Sequence, residues 1–99
     1  MTELLSTIET MISSETSDLQ QIERTLTDGY AHALALEAER SRLERQIAQA
    51  AQGIEDGDTA ENARELASLT RRLDGNAGAL AKLRAVLAEL RRHASGLRG

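Results

Sequence analysis

Apolar residues recur at alternating steps of three and four along almost the whole chain, in two series separated by one break. The first series contains Leu5, Ile8, Ile12, Leu19, Ile22, Leu26, Ala33, Leu36, Leu43, Ile47, Ala50 and Ile54. The second contains Leu66, Leu69, Leu73, Leu80, Leu83, Leu87, Leu90, Ala94 and Leu97, and the polar residues Asn62 and Asn76 occupy two further positions of the same series. Such spacing places side chains on one stripe of an α-helix, and its persistence is typical of the heptad repeat of coiled coils. The sequence therefore predicts an all-α fold built from two long helices.

The composition indicates a narrow core. A compact domain of 99 residues normally contains several aromatic side chains, but this chain has one tyrosine and no Phe or Trp. Proline is absent, 40% of the residues are apolar and 28% are charged. This balance is typical of long helices, so we expect a thin apolar seam between helices.

The break lies in the segment GIEDGDTAE, residues 53–61, where the periodicity is lost. Gly53 suits a helix C-terminus, and Asp58 followed by Glu61 matches an N-cap with its capping partner. The chain is thus predicted to be one helical-hairpin domain covering residues 1–99. Its parts are a first helix over about 2–52, a turn over about 53–58 and a second helix over about 59–96.

Two glycines, Gly75 and Gly78, interrupt the second series without changing its phase. Together they cost a helix about 2 kcal/mol relative to alanine. Each leucine buried on the stripe contributes roughly 1.5 to 3 kcal/mol, and three leucines lie on either side of the pair. We therefore expect the second helix to continue through both glycines. By the same argument the first helix should pass Gly29 and, with weaker support, the polar segment 13–18.

Two helices joined by a short turn must lie antiparallel. If the turn is centred between residues 54 and 55, two core residues face each other when their residue numbers add up to 109. This register predicts that Leu26 faces Leu83 and that Gly29 faces Leu80. The result is a long antiparallel two-helix coiled-coil hairpin.

Charge is distributed unevenly between the two helices. Residues 1–39 contain eight acidic residues and one basic residue, a balance of −7, whereas residues 66–99 contain seven basic and two acidic residues, a balance of +5. Opposite charges on the two edges would favour the antiparallel orientation over other pairings.

In the predicted register the start of the first helix extends beyond the end of the second. We expect this overhang to be an interface, formed by Leu4, Leu5, Ile8, Met11 and Ile12. Leu34, Met11 and Val86 also lie off the main seam. Because such apolar surface usually marks an interface, self-association into a four-helix bundle is expected, with a dimer favoured and a different protein as the next candidate partner.

Candidate catalytic and metal-binding groups are few. Asp28 and His32 are four residues apart on a helix, but two ligands without a third make a weak metal site. His93 beside Asp18 is better interpreted as an ion pair than as a catalytic base. No phosphate-binding glycine loop or nucleophile elbow is found. The sequence therefore predicts a protein that is not an enzyme and uses no metal or cofactor.

Nucleic-acid binding is an alternative that would use Arg84, Arg91, Arg92 and Arg98. Phosphate binding needs a basic face free of competing acids, and here an acidic helix would lie against the basic one. The single aromatic residue also offers no stacking platform, so the sequence disfavours this alternative.

The N-terminus carries acidic residues where a signal peptide needs basic ones, and no apolar run approaches the roughly 20 residues that span a bilayer. We therefore expect a cytoplasmic protein without membrane contact. The absence of cysteine excludes disulfides.

The stretch from Leu43 to Leu90, with its Gly-Asp turn, resembles in shape the small helical hairpins that act as co-chaperones or assembly subunits in bacterial secretion systems. This resemblance covers about half the chain and implies a chaperone that shields a partner's helix. The residues themselves favour a non-enzymatic protein–protein interaction or assembly module that presents heptad surfaces to a second copy or to another protein.

Overall fold

The computed structural model describes residues 2–13, 18–57 and 59–98, without the side chains of Ser13 and Arg98. These residues form three helices and no strand: α1 (Thr2–Ser13), α2 (Leu19–Glu55) and α3 (Thr59–Arg98). Helices α2 and α3 pack against each other. The prediction of an all-α helical hairpin is confirmed.

The expected continuous first helix over about 2–52 is wrong at Asp18. This residue lies outside both helices, and its Oδ1 accepts a hydrogen bond from the backbone N–H of Gln21 at 3.1 Å. Its carbonyl accepts the N–H of Ile22 at 3.0 Å, the first backbone hydrogen bond of α2. Asp18 is therefore an N-cap, since its short side chain satisfies an amide that lacks a partner within the helix. The predicted helical path through residues 14–17 lies outside the described residues.

The turn between α2 and α3 is shorter and later than expected. Helix α2 continues through Gly53 to Glu55, and the N–H of Asp56 still donates to the carbonyl of Gln52 at 3.0 Å. Gly57 then adopts φ 104°, a conformation that a side chain disfavours. Helices often end at a glycine with positive φ. The glycine that ends α2 is therefore Gly57 and not Gly53. The predicted N-cap, Asp58, lies outside the described residues.

Helix α3 continues through Gly75 and Gly78, as predicted. A Cβ atom built on either glycine would have no neighbouring atom within 4 Å. Among the residues that the structure describes, none therefore requires a glycine at position 75 or 78 for packing. The apolar stripe on both sides therefore outweighs the helix propensity lost at these two positions.

The chain divides into two compact units. Unit 1 comprises Met1–Ala35 and Leu80–Gly99, and it contains α1, the first part of α2 and the last part of α3. Its buried apolar residues are Leu5, Ile8, Met11, Ile22, Leu26, Leu80, Leu83, Leu87, Leu90 and Ala94. Thr25 is also buried there, with its hydroxyl donating to the carbonyl of Gln21 at 3.0 Å.

A close approach between α2 and α3 sets the register of unit 1. A Cβ atom on Gly29 would overlap Leu87 Cδ2, so the Leu87 side chain fills the space that the glycine leaves. The predicted neighbour of Gly29 was Leu80, one heptad earlier, and that prediction is wrong. Because α2 ends later than expected, the turn centre moves along the chain, which is consistent with Leu87 rather than Leu80 lying against Gly29.

Unit 2, Leu36–Ala79, is a two-helix hairpin closed by the turn at Gly57. Its core consists of Leu43, Ala50 and Leu69, with Ile47, Leu66 and Leu73 packed around them. Next to the turn, a Cβ atom on Gly53 would lie 2.7 Å from three side-chain atoms of Asn62. Gly53 therefore provides space for the Asn62 side chain.

Unit 2 also buries an amide. Asn76 is 6% exposed, and its Nδ2 donates to the backbone carbonyl of Leu36 at 3.0 Å. Its Oδ1 has no hydrogen-bond partner among the described residues. The sequence pattern correctly placed Asn76 on the apolar stripe. Burial of its Oδ1 without a described partner opposes folding.

Candidate interaction surface

The five residues predicted to form an exposed overhang do not share one environment. Leu5, Ile8 and Met11 are buried in unit 1, and Ile8 has 0% of its surface exposed. Leu4 and Ile12 are partly exposed. The expected overhang is therefore wrong for three of its five members, because α1 is a separate helix that folds back and buries its apolar face within the chain.

Burial of these side chains explains why so short a helix is stable. An isolated helix of the length of α1, 12 residues, is marginal in water. Burying Leu5, Ile8 and Met11 contributes about 1.5 to 3 kcal/mol for each side chain. Tertiary contacts, rather than helix propensity, therefore hold α1 in place.

A shallow groove lies between α1 and α2, and we call it the α1–α2 groove. Its lining residues are Glu3, Leu4, Asp28, Ala31 and His32. The first turn of α1 thus lies beside the tenth to fourteenth residues of α2, and the C-terminal end of α1 leads into the N-terminal end of α2. Helix α1 is antiparallel to α2, and of the five predicted interface residues Leu4 lines this groove.

An exposed apolar pair lies beside the groove on α2. Leu34 is 68% exposed and Tyr30 is 42% exposed. They are four residues apart, so their side chains are neighbours on the helix surface, and Leu34 is also one turn from Ala31 in the groove. Exposure of Leu34 was predicted from its position off the seam, whereas Tyr30 was not predicted as a surface residue. Of the other two off-seam residues, Met11 is buried and Val86 is partly exposed.

A second shallow depression continues along α2 from the same place. It is lined by Gln20, Glu23, Arg24, Thr27 and Asp28. Asp28 lines both depressions, so they form one track on α2 from Gln20 to His32. At 1.5 Å per residue this track is about 18 Å long, or three to four helical turns.

The candidate metal and catalytic residues, Asp18, Asp28, His32 and His93, all belong to unit 1. His32 is exposed, with Nδ1 3.1 Å from the backbone carbonyl of Asp28 one turn earlier. No group of three or more potential metal ligands occurs among the residues that the structure describes. Asp18, the predicted partner of His93, caps α2.

Charged side chains on both helices are mostly exposed. Arg91 and Arg92 are exposed on α3, and the side chain of Arg98 lies outside the described residues. Arg40 and Glu44 form an ion pair at 3.5 Å, with about half of each side chain in solvent. An exposed pair of this kind contributes only about 0.3 to 0.5 kcal/mol.

Within residues 2–13, 18–57 and 59–98, none of the helices combines the length and the apolar character required to cross a membrane.

Fold and surface together define the class of this protein as an all-α helical hairpin with an exposed apolar pair next to a shallow groove. No protein-family model, curated protein or solved structure matches the chain.

Proposed function

We propose that this protein is a non-enzymatic protein–protein interaction module that presents helical surface to another protein, first of all to a second copy of itself. The observation that carries the proposal is the exposure of Leu34 and Tyr30, one turn apart on α2. A large aliphatic side chain that is 68% exposed gains free energy from any contact that removes it from water.

The location of the pair supports an interface centred on α2. Tyr30 combines a large apolar ring with a polar hydroxyl, and tyrosine is enriched at protein interfaces. Two α2 helices that cross at Leu34 would place the two Leu34 side chains against each other in an isologous contact, as a two-fold dimer requires. The heptad pattern of the sequence is consistent with helix-on-helix association of this kind.

Self-association is tested by measuring the molar mass in solution by light scattering over a range of protein concentrations. We expect the parent chain to have a mass above that of the 10.7 kDa monomer. The Leu34→Glu variant should shift to the monomer mass, because two carboxylates would then meet at the centre of the contact. Circular dichroism should show unchanged helicity, since Leu34 contributes little to the core.

Ala63→Glu is the matched control, because Ala63 is exposed on α3 in unit 2 and the substitution introduces the same charge. Its mass should equal that of the parent. A parent chain that is monomeric at every concentration, or a Leu34→Glu variant that keeps the parent's mass, would contradict self-association through this surface.

A further inference from the structure

We propose that the α1–α2 groove and the adjoining depression on α2 bind an amphipathic helix with basic side chains, supplied by a different protein. The inference goes beyond self-association through Leu34, and the two are tested separately. It rests on three properties of the track: its length, the apolar residues Leu4 and Ala31 at its groove end, and the sign of its charge.

The dimensions suit a short helix. The track runs from Gln20 to His32 on α2, with Leu4 of α1 forming part of the opposite wall of the groove. A length of about 18 Å accommodates roughly 12 helical residues. A helix that lies along two antiparallel helices buries one face and leaves the other in water, which is the common helix-in-groove mode of recognition.

Apolar contacts are available at the His32 end of the track, where Leu4 and Ala31 line the groove. Ala31 has a short side chain, so the backbone of α2 can be approached closely there. An incoming helix would therefore place a leucine-sized side chain over Ala31, against Leu4.

The charge of the track selects among possible occupants. The charged residues that line it are Glu3, Glu23, Asp28 and Arg24, giving three negative charges and one positive charge, a balance of −2. A second copy placed with the same groove facing this one would bring Glu3 and Asp28 against their own counterparts. Like charges in that position oppose association, whereas arginine or lysine side chains on an incoming helix would pair with these carboxylates.

The probe is a fluorescein-labelled 15-residue peptide with blocked ends, with leucine on one face and arginine on the flanking positions. A second peptide replaces every arginine with glutamate. Binding to the full chain is measured by fluorescence anisotropy at low and at moderate salt. We expect the arginine peptide to bind, its affinity to fall with added salt because the contacts are exposed, and the glutamate peptide not to bind.

Two pairs of variants locate the site. Glu3→Gln combined with Asp28→Asn should weaken binding of the arginine peptide about five- to tenfold, the effect of losing two exposed ion pairs. The control is Glu65→Gln combined with Asp74→Asn, which removes two exposed carboxylates from unit 2 and should leave affinity unchanged. Ala31→Arg should abolish binding by filling the groove with a repelling charge, and Ala63→Arg should not.

The proposal is overturned if the arginine peptide does not bind, if the glutamate peptide binds equally well, or if the control pair weakens binding as much as the groove pair. Circular dichroism of each variant establishes that the helices are intact. The Leu34→Glu mass measurement reports on self-association alone, so failure of one proposal does not imply failure of the other.

Discussion

The side chain of Leu87 lies directly against the Cα of Gly29, in a space that a Cβ atom on residue 29 would occupy. This contact sets the register of α2 against α3 in unit 1. It also distinguishes Gly29 from Gly75, which is equally helical but has no described atom within 4 Å of the position of a Cβ atom. Two glycines that look alike in the sequence therefore have opposite consequences for stability.

Gly29→Ala should destabilise the protein. The added methyl group must displace Leu87, a buried core side chain, and such overpacking costs about 1 to 3 kcal/mol, which exceeds the gain in helix propensity. Gly75→Ala should instead stabilise the protein by about 0.5 to 1 kcal/mol, because the methyl group meets nothing. Urea unfolding followed by circular dichroism measures both. A Gly29→Ala variant more stable than the parent would show that Leu87 does not occupy this position.

Gly57 should tolerate substitution poorly for a different reason. None of the described residues would contact a Cβ atom there, but its φ of 104° is disfavoured for a residue with a side chain. Gly57→Ala should therefore lower the free energy of unfolding by about 1 to 2 kcal/mol. The equivalent change at Gly78, in open helical surroundings, should be neutral or stabilising in the same unfolding measurement. Equal effects at the two glycines would argue against the observed turn.

Asn76→Leu should stabilise unit 2. In the parent, the buried Oδ1 without a described partner costs about 1 to 3 kcal/mol of stability. The substitution removes this acceptor and adds an apolar side chain to the seam. The carbonyl of Leu36, which loses the Asn76 amide, lies within helix α2. We expect a higher urea midpoint for this variant. A lower midpoint would indicate that Oδ1 is hydrogen-bonded in solution.

Ile8→Ala tests whether α1 belongs to the core of the chain or projects from it. Ile8 is completely buried, so its truncation should cost about 2 to 5 kcal/mol in the free energy of unfolding. Leu34→Ala removes a comparable aliphatic group from an exposed position and should change stability by less than about 0.5 kcal/mol. If Ile8→Ala were as mild as Leu34→Ala, α1 would not be packed in unit 1, and the original overhang would regain support.

The candidate surface was only partly predictable. Leu34 could be recognised as exposed because it lies off a stripe that the sequence itself defines. Leu4 was included among the predicted interface residues, but for a helix that extended past its partner rather than one that forms a groove with it. The contribution of Asp28, Ala31 and His32 to that groove could not be anticipated, because it depends on α1 reversing direction before α2 and returning alongside it.

The sequence by itself determined that the chain is helical, that α3 is continuous and that a hairpin turn lies near residues 53–58. Apolar spacing of three and four is a local property, and the free energy of burying leucines on both sides of Gly75 and Gly78 is large enough to decide that α3 is continuous. The tertiary structure decided which residues face one another and where the apolar side of the N-terminal segment is buried. A shift by one heptad keeps every apolar position on the stripe, so the periodicity cannot distinguish one register from another. The turn at Gly57 and the contact between Gly29 and Leu87 fix the register instead. In the same way Leu5, Ile8 and Met11 could be buried by a second chain or by this one, and the cap at Asp18, which allows α1 to fold back, makes the second solution available.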